Sequence, residues 1–274
     1  MKKDKEVQKK EKEIDNFEDL EVIDLNEEVQ PEKKERPKIL PDVFRCFCWD
    51  IIFGLLLIFA SVIGFTTKLF SADFLKTATN IIQDGEADAV ASCIEMGITQ
   101  TVPVASLITF AFVLIIIFSR RKKEMNLDVF GLKQKLAVKQ IVFYVVAAII
   151  LNVSISYGIK LLPEEWISSY DSSTSYLEIC NFWTLLITTG ILAPIYEEYF
   201  FRGIMVIESR NYWVAAVISS VLFGINHGNW IQSLFAFALG IWFCLENERH
   251  NSIKPSLLMH IAINCSTIIM SQIL

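Results

Sequence analysis

Charge is thin along most of this chain, paired cysteines are missing, and there is no internal repeat. Only 20% of the 274 residues are charged against 53% hydrophobic, and the mean hydropathy is +0.43. That balance excludes a soluble enzyme with a single core. The six cysteines show no Cys-x-x-Cys spacing and lie mostly in or beside apolar runs, which argues against a disulfide framework or a structural zinc site. Cys46 and Cys48 read as small apolar side chains beside the first span rather than acylation sites. A net charge of -6 with no basic face excludes a nucleic-acid binder. The lack of a repeat speaks against a transporter built from two related halves.

What is present is a charged start followed by long apolar runs. Residues 1–40 carry mixed charge without a sustained apolar stretch, so they are expected to be a disordered cytoplasmic tail. They do not read as a signal peptide, because charge is followed by more charge rather than by an apolar core. A bilayer span takes roughly 17–25 apolar residues. Seven runs are read as spans: 51–67, 96–119, 141–159, 179–196, 212–225, 230–245 and 256–274. The fifth is short and runs into Asn226-His227-Gly228-Asn229. The expected fold is all-α, a polytopic transmembrane bundle of about seven to eight helices around a polar cavity. Its divisions are the tail at 1–40, N-terminal helices and loops at 41–176, and a core at 177–274.

Lysine and arginine in short loops set the orientation. Arg36, Lys38 and Arg45 precede the first span, and Arg120-Arg121-Lys122-Lys123 with Lys133, Lys135 and Lys139 follow the second. These belong in the cytoplasm. The acidic loop around Asp84, Glu86, Asp88 and Glu95 belongs outside. The N-terminus is therefore expected inside and, with seven spans, the C-terminus outside.

Ionisable residues inside a membrane are costly, so each demands a reason. They gather in the last third, in three groups: Glu197-Glu198 with Arg202, Phe223 with His227, and His260 with Asn264. On a continuing helix Glu198 and Arg202 are four apart, in the favourable order for an ion pair. Glu197 points about 100° away and lacks that partner. A carboxylate left free can exchange a proton as a general base must. Measured from the cytoplasmic ends, His260 lies about 10 Å deep, Glu197 about 15 Å and His227 about 24 Å, close enough for convergence if the fifth helix tilts or breaks. Singly, each group also fits a blander role: a solvated helix end, an interfacial histidine, or an asparagine bonding a neighbouring helix. Together they point to one polar site.

In order, spacing and membrane setting, the three groups resemble the signature of an intramembrane protease family. That family, called CPBP or Abi, includes the CAAX prenyl endopeptidase and bacteriocin-processing relatives. The stretch from Gln232 through Phe235 and Phe237 to Gly240 is similar to its sixth-helix pattern. The likeness covers Phe182 to Leu274. It implies a helical bundle with a conical cavity open to the cytosol and laterally to lipid. It further implies that Glu197 activates water with help from His227, that His260 and Asn264 stabilise the oxyanion, and that Glu198 and Arg202 hold the helix in place. Glu197, His227 and His260 are also a candidate zinc set with an open fourth position, although the compact His-Glu-x-x-His signature is absent. Water activation without a metal is the leading expectation.

The expected function is thus an integral multi-pass peptidase of the bacterial plasma membrane. It would cut a membrane-associated peptide near its cytoplasmic end, with the lipid bilayer and that peptide as its partners. The oligomeric state is not legible. A non-catalytic immunity or scaffold protein using the same pocket is the alternative, and a small transporter relaying protons through Glu197, His227 and His260 a third.

Overall fold

The computed structural model describes residues 39–83, 97, 101–121 and 130–273. The expected tail lies almost wholly outside the described residues, as does the acidic loop at 84–95. Among the described residues the regular structure is entirely helical. In chain order come α1 (Ile39–Leu69), α2 (Ala72–Gln83), α3 (Thr101–Arg121), α4 (Val138–Ile159) and α5 (Glu164–Thr174). A single turn at Tyr176–Ile179 leads to α6, a helical run from Phe182 to Ile207. Then follow α7 (Tyr212–Ile225), α8 (Trp230–His250) and α9 (Lys254–Ile273). Pro37–Leu274 forms one compact unit.

Asparagines start three of the last four helices. Asn181, Asn211 and Asn229 each accept hydrogen bonds from backbone N–H groups in the first turn of α6, α7 and α8. An asparagine N-cap satisfies donors that have no partner inside the helix.

Among the described residues four helices are long and apolar enough to cross a bilayer: Leu40–Thr67, Thr101–Ser119, Val138–Ile159 and Lys254–Ile273. Their outward faces are oily. Ile51, Leu55, Ile58 and Val62 on α1 and Val142, Phe143, Val146 and Ile150 on α4 are all exposed. Stripes of this size suit lipid rather than water. The other three expected spans are helices of a different kind. The 14-residue α7 rises only about 21 Å, against a hydrocarbon core of roughly 30 Å. The last turns of α8 carry Glu246, Glu248, Arg249 and His250. In α6, stretches of α and π geometry alternate.

Two ends of the bundle are distinguished by their ties. At the basic end, Arg45 of α1 donates to the carbonyls of Met205 and Glu208 at 2.9 and 2.7 Å, and Asp42 accepts from the backbone of Arg210 and Asn211. There too the Ile253 N–H bonds the Phe130 carbonyl and Ser252 the Gly131 carbonyl. Gly131 has φ of 65°, and a Cβ on it would lie 1.9 Å from the Asn251 carbonyl oxygen, so only glycine permits this approach. At the opposite end, Asn229 donates to Ser169 of α5, Trp166 packs edge-on against Trp230 at 4.7 Å, and Gln272 donates to the Leu177 carbonyl. The main core gathers around Phe53, Phe200, Phe201, Met205 and Phe223, drawn from α1, α6 and α7.

Candidate active site

The site begins with an irregularity in α6. Pro194 has no N–H, so it cannot pair with the carbonyl four or five residues earlier in a helix. Those carbonyls belong to Gly190 and Thr189. Residues 186–192 adopt π geometry, and α9 supplies outside donors: Asn264 Nδ2 bonds the Thr189 carbonyl at 3.0 Å, and Cys265 Sγ lies 3.6 Å from the Gly190 carbonyl. A second π stretch begins at Glu198, so the two glutamates straddle a change of helical winding.

The glutamates have separate surroundings, as their spacing suggested. Glu198 is fully buried, 3.3 Å from Arg202 across one turn. The Arg202 guanidinium is almost as deep and lies 4.1 Å from the Phe223 ring centroid and 5.2 Å from that of Phe243, where aromatic faces attract a cation. Gly240 makes room for it, since a Cβ there would come within 3.1 Å of Arg202 and 2.8 Å of Ser220. Glu197, by contrast, keeps its side chain one-fifth exposed to a cavity of about 340 Å³.

His260 joins the two carboxylates. Its Nδ1 is 2.9 Å from Glu198 Oε1 and its Nε2 is 3.5 Å from Glu197 Oε2. A carboxylate accepts, so Nδ1 carries a proton, and Nε2 is the atom turned toward Glu197. His227 follows the same logic. Its Nδ1 is 2.7 Å from the Phe223 carbonyl, which can only accept, so Nε2 is left with a lone pair. Phe223 sits among all three groups, with its ring 4.8 Å from that of His227, 5.6 Å from that of His260, and under Arg202.

Glu197, His227, His260 and Asn264 all line the cavity, while Glu198 and Arg202 lie behind it. The three separated sequence groups therefore meet. Among the described residues no set of three or more His, Cys, Asp or Glu side chains is disposed to hold a metal ion. The candidate zinc set of Glu197, His227 and His260 shares a cavity without forming such a centre.

Four contributors escaped the sequence reading. Asp50 on α1 accepts from Asn226, next to His227, at 2.8 Å. Asn152 on α4 donates to Ser266 and Thr267 and borders the cavity. Each is a polar residue inside an apolar run, a signal that was visible. Tyr170 and Tyr176 also form part of the wall, from a segment that reads as a loop. Burial, with Asp171 alongside, pushes the Tyr170 phenol above its ordinary value, so it meets the cavity as a neutral donor.

Residues 179–266 match the model of the Rce1-like family, described as type II CAAX prenyl endopeptidase Rce1-like. Over this segment the chain is similar to the CAAX protease family. All six candidate residues, from Glu197 to Asn264, fall within the Rce1-like segment. The protein named "Putative membrane peptidase YdiL" of Bacillus subtilis (strain 168) is 34% identical over 89 residues, which is 31% of this chain. The match spans 36% of that relative's length. No solved structure matches the chain. Much of the cavity wall nevertheless comes from outside the Rce1-like segment: Phe53 and Leu57 of α1, Ser106 of α3, Asn152 of α4, and Tyr170 and Tyr176.

The cavity takes Val102 and Ser106 from the start of α3, Gln232 to Leu239 from the first half of α8, and His260 to Ile268 from the middle of α9.

Proposed function

We propose that the protein is an intramembrane endopeptidase that hydrolyses a peptide bond in a membrane-associated peptide. The observation that carries this reading is Glu197, an acid with its own opening to the cavity, 3.5 Å from His260 Nε2 and in the same cavity wall as His227. Its neighbour Glu198 is committed to Arg202 and His260.

Glu197 would take a proton from a water held against the His227 Nε2 lone pair, and the resulting hydroxide would add to the scissile carbonyl carbon. Charge then builds on the carbonyl oxygen. Asn264 has a second amide hydrogen beyond the one given to Thr189, and that donor would meet the oxyanion. His260 would assist through Nε2 only when that nitrogen also carries a proton, because Nδ1 already donates to Glu198. Collapse of the tetrahedral adduct breaks the C–N bond, and Glu197 returns its proton to the leaving nitrogen. Donors in a water-poor site are worth much more than in bulk water. A zinc ion would supply Lewis-acid polarisation of the carbonyl, but the disposition of Glu197, His227 and His260 offers it no set of three ligands.

The test compares wild type with Glu197→Ala in detergent against a quenched-fluorescent library of membrane peptides, before and after exhaustive chelation with zinc add-back. Cleavage lost in the variant and retained after chelation is the expected outcome. Zinc-dependent rescue would assign the water to a metal. Equal cleavage by both proteins would return the pocket to a binding or immunity role.

A further inference from the structure

Residues 164–178 precede the Rce1-like match, and the sequence of α5 within them has two faces. Trp166, Tyr170, Ser173 and Thr174 fall at i, i+4, i+7 and i+8, which is one side of a helix. Trp166 packs edge-on against Trp230, and the other three line the cavity. Glu164, Glu165, Ser168, Asp171 and Ser172 fall on the other side and are exposed. The charge of α5 is therefore turned away from the cavity and an uncharged face is turned toward it. No residue of α5 is buried, so that inward face is not a core face.

Two anchors fix this segment, each beside a tyrosine. Asn229, which caps α8 two residues after His227, donates to the Ser169 carbonyl at 3.1 Å and to the Ser169 hydroxyl at 3.2 Å, next to Tyr170. Gln272 near the end of α9 donates to the Leu177 carbonyl at 2.8 Å, next to Tyr176, and Leu177 is buried with Leu185 and Ile268. Both tyrosines are thus held in the cavity wall by the stretches that carry His227 and His260. Yet neither phenol oxygen has a hydrogen-bond partner among the described residues. A positioned hydroxyl without a protein acceptor is free to donate to a ligand. Burial, followed by the charge of Glu197, pushes the Tyr176 phenol up to about 12, so it stays protonated with that carboxylate in the same wall.

Among the described residues Glu197 is the one Asp, Glu, Lys or Arg in the cavity wall, so away from the reacting groups a ligand meets uncharged partners. A peptide drawn into such a space brings backbone carbonyls with it, and each is costly to bury unless a donor meets it. We propose that Tyr170 and Tyr176 bind the substrate: their phenol O–H groups donate to backbone carbonyls of a peptide lying extended along the inner face of α5. The proposal deepens the endopeptidase reading and takes its ligand, a peptide, from it. An extended chain suits these donors, because the carbonyls of a continuous helix are already paired within it. Substrate binding is thereby assigned to a part of the chain that carries none of the family likeness, while water activation stays with Glu197 and the oxyanion with Asn264.

Tyr170→Phe, Tyr176→Phe and the double variant keep both rings and remove only the hydroxyls. Tyr157→Phe is the control, since Tyr157 is exposed on α4 and absent from the cavity wall. In detergent, each is compared with wild type on the library peptide that wild type cuts fastest. Loss of one donor should raise KM roughly three- to tenfold, the double variant should multiply the two effects, and kcat should hold. Thermal midpoints should match wild type, because the lost hydroxyls bond nothing in the protein. Affinity is read apart from cleavage in the Glu197→Ala background, by fluorescence anisotropy of the same peptide with a single dye, and Kd should rise by the same factor. An unchanged KM or Kd, or a lowered thermal midpoint in the Phe variants, overturns the proposal. If wild type cuts no peptide, the dye-labelled library is screened for binding instead. Binding weakened by the Phe variants then upholds the tyrosine contacts while the endopeptidase reading falls; binding indifferent to them, or none, overturns the contacts as well.

Discussion

Glu197 and Glu198 are chemically identical neighbours, and their environments give them different work. Helical spacing alone predicted that Glu198 would pair with Arg202, and the pair is there at 3.3 Å. The same spacing left Glu197 free, and it opens to the cavity. What spacing could not give was the bond from His260 to Glu198, because it joins residues 62 apart in sequence. The buried pair makes a prediction of its own. Removing one partner of a buried ion pair leaves an uncompensated charge and costs roughly 3–5 kcal/mol. Arg202→Met should therefore lower the thermal midpoint in detergent sharply, and Glu198→Gln with Arg202→Met should recover part of the loss. A double variant no more stable than Arg202→Met alone would show that the aromatic packing around the guanidinium, rather than the pair, is what matters.

At the scale of elements the decisive feature is the helix that changes its winding. The sequence shows Pro194, but a proline in a helical run predicts a kink as readily as a π stretch. The outcome depends on donors from α9, which local pattern does not contain. Most of the other helices were legible from their apolar runs, and the short α7 begins and ends where its pattern does. Helix ends were less so: α1 starts twelve residues before its apolar run, at Ile39, because its first turns bind the 205–211 corner instead of lipid. Asn264 should serve both structure and chemistry. Asn264→Ala strands the Thr189 carbonyl, for which a buried unpaired acceptor costs about 1–3 kcal/mol. Pro194→Ala returns an N–H to the helix, so in that background Asn264→Ala should cost measurably less stability. Cleavage should stay lost in the double variant, because the oxyanion donor is still missing. Recovery of both stability and cleavage would reduce Asn264 to a helix-mending role.

Across the whole molecule, the segment that carries the family likeness does not enclose its own site. The sequence showed likeness only from residue 182 onward, since apolar helices that face lipid carry little beyond hydrophobicity. The cavity nonetheless takes walls from α1, α3, α4 and α5. Phe53 is the clearest case. It is buried on α1, a helix whose outer face is exposed, and its ring lies 5.1 Å from Phe200, 5.2 Å from Phe201 and 6.2 Å from Tyr196, on either side of the two glutamates in α6. Truncating such a ring to alanine costs about 3–5 kcal/mol through lost contacts and the void left behind. Phe53→Ala should therefore depress the thermal midpoint and, by loosening the helix that positions Glu197, lower kcat more than it raises KM. Phe59→Ala is the control, since Phe59 lies on the same helix but faces outward, about half exposed. Its stability in detergent should be near that of wild type. If Phe59→Ala and Phe53→Ala behave alike, α1 acts only as a lipid anchor, and the catalytic helix is held by the Rce1-like segment alone.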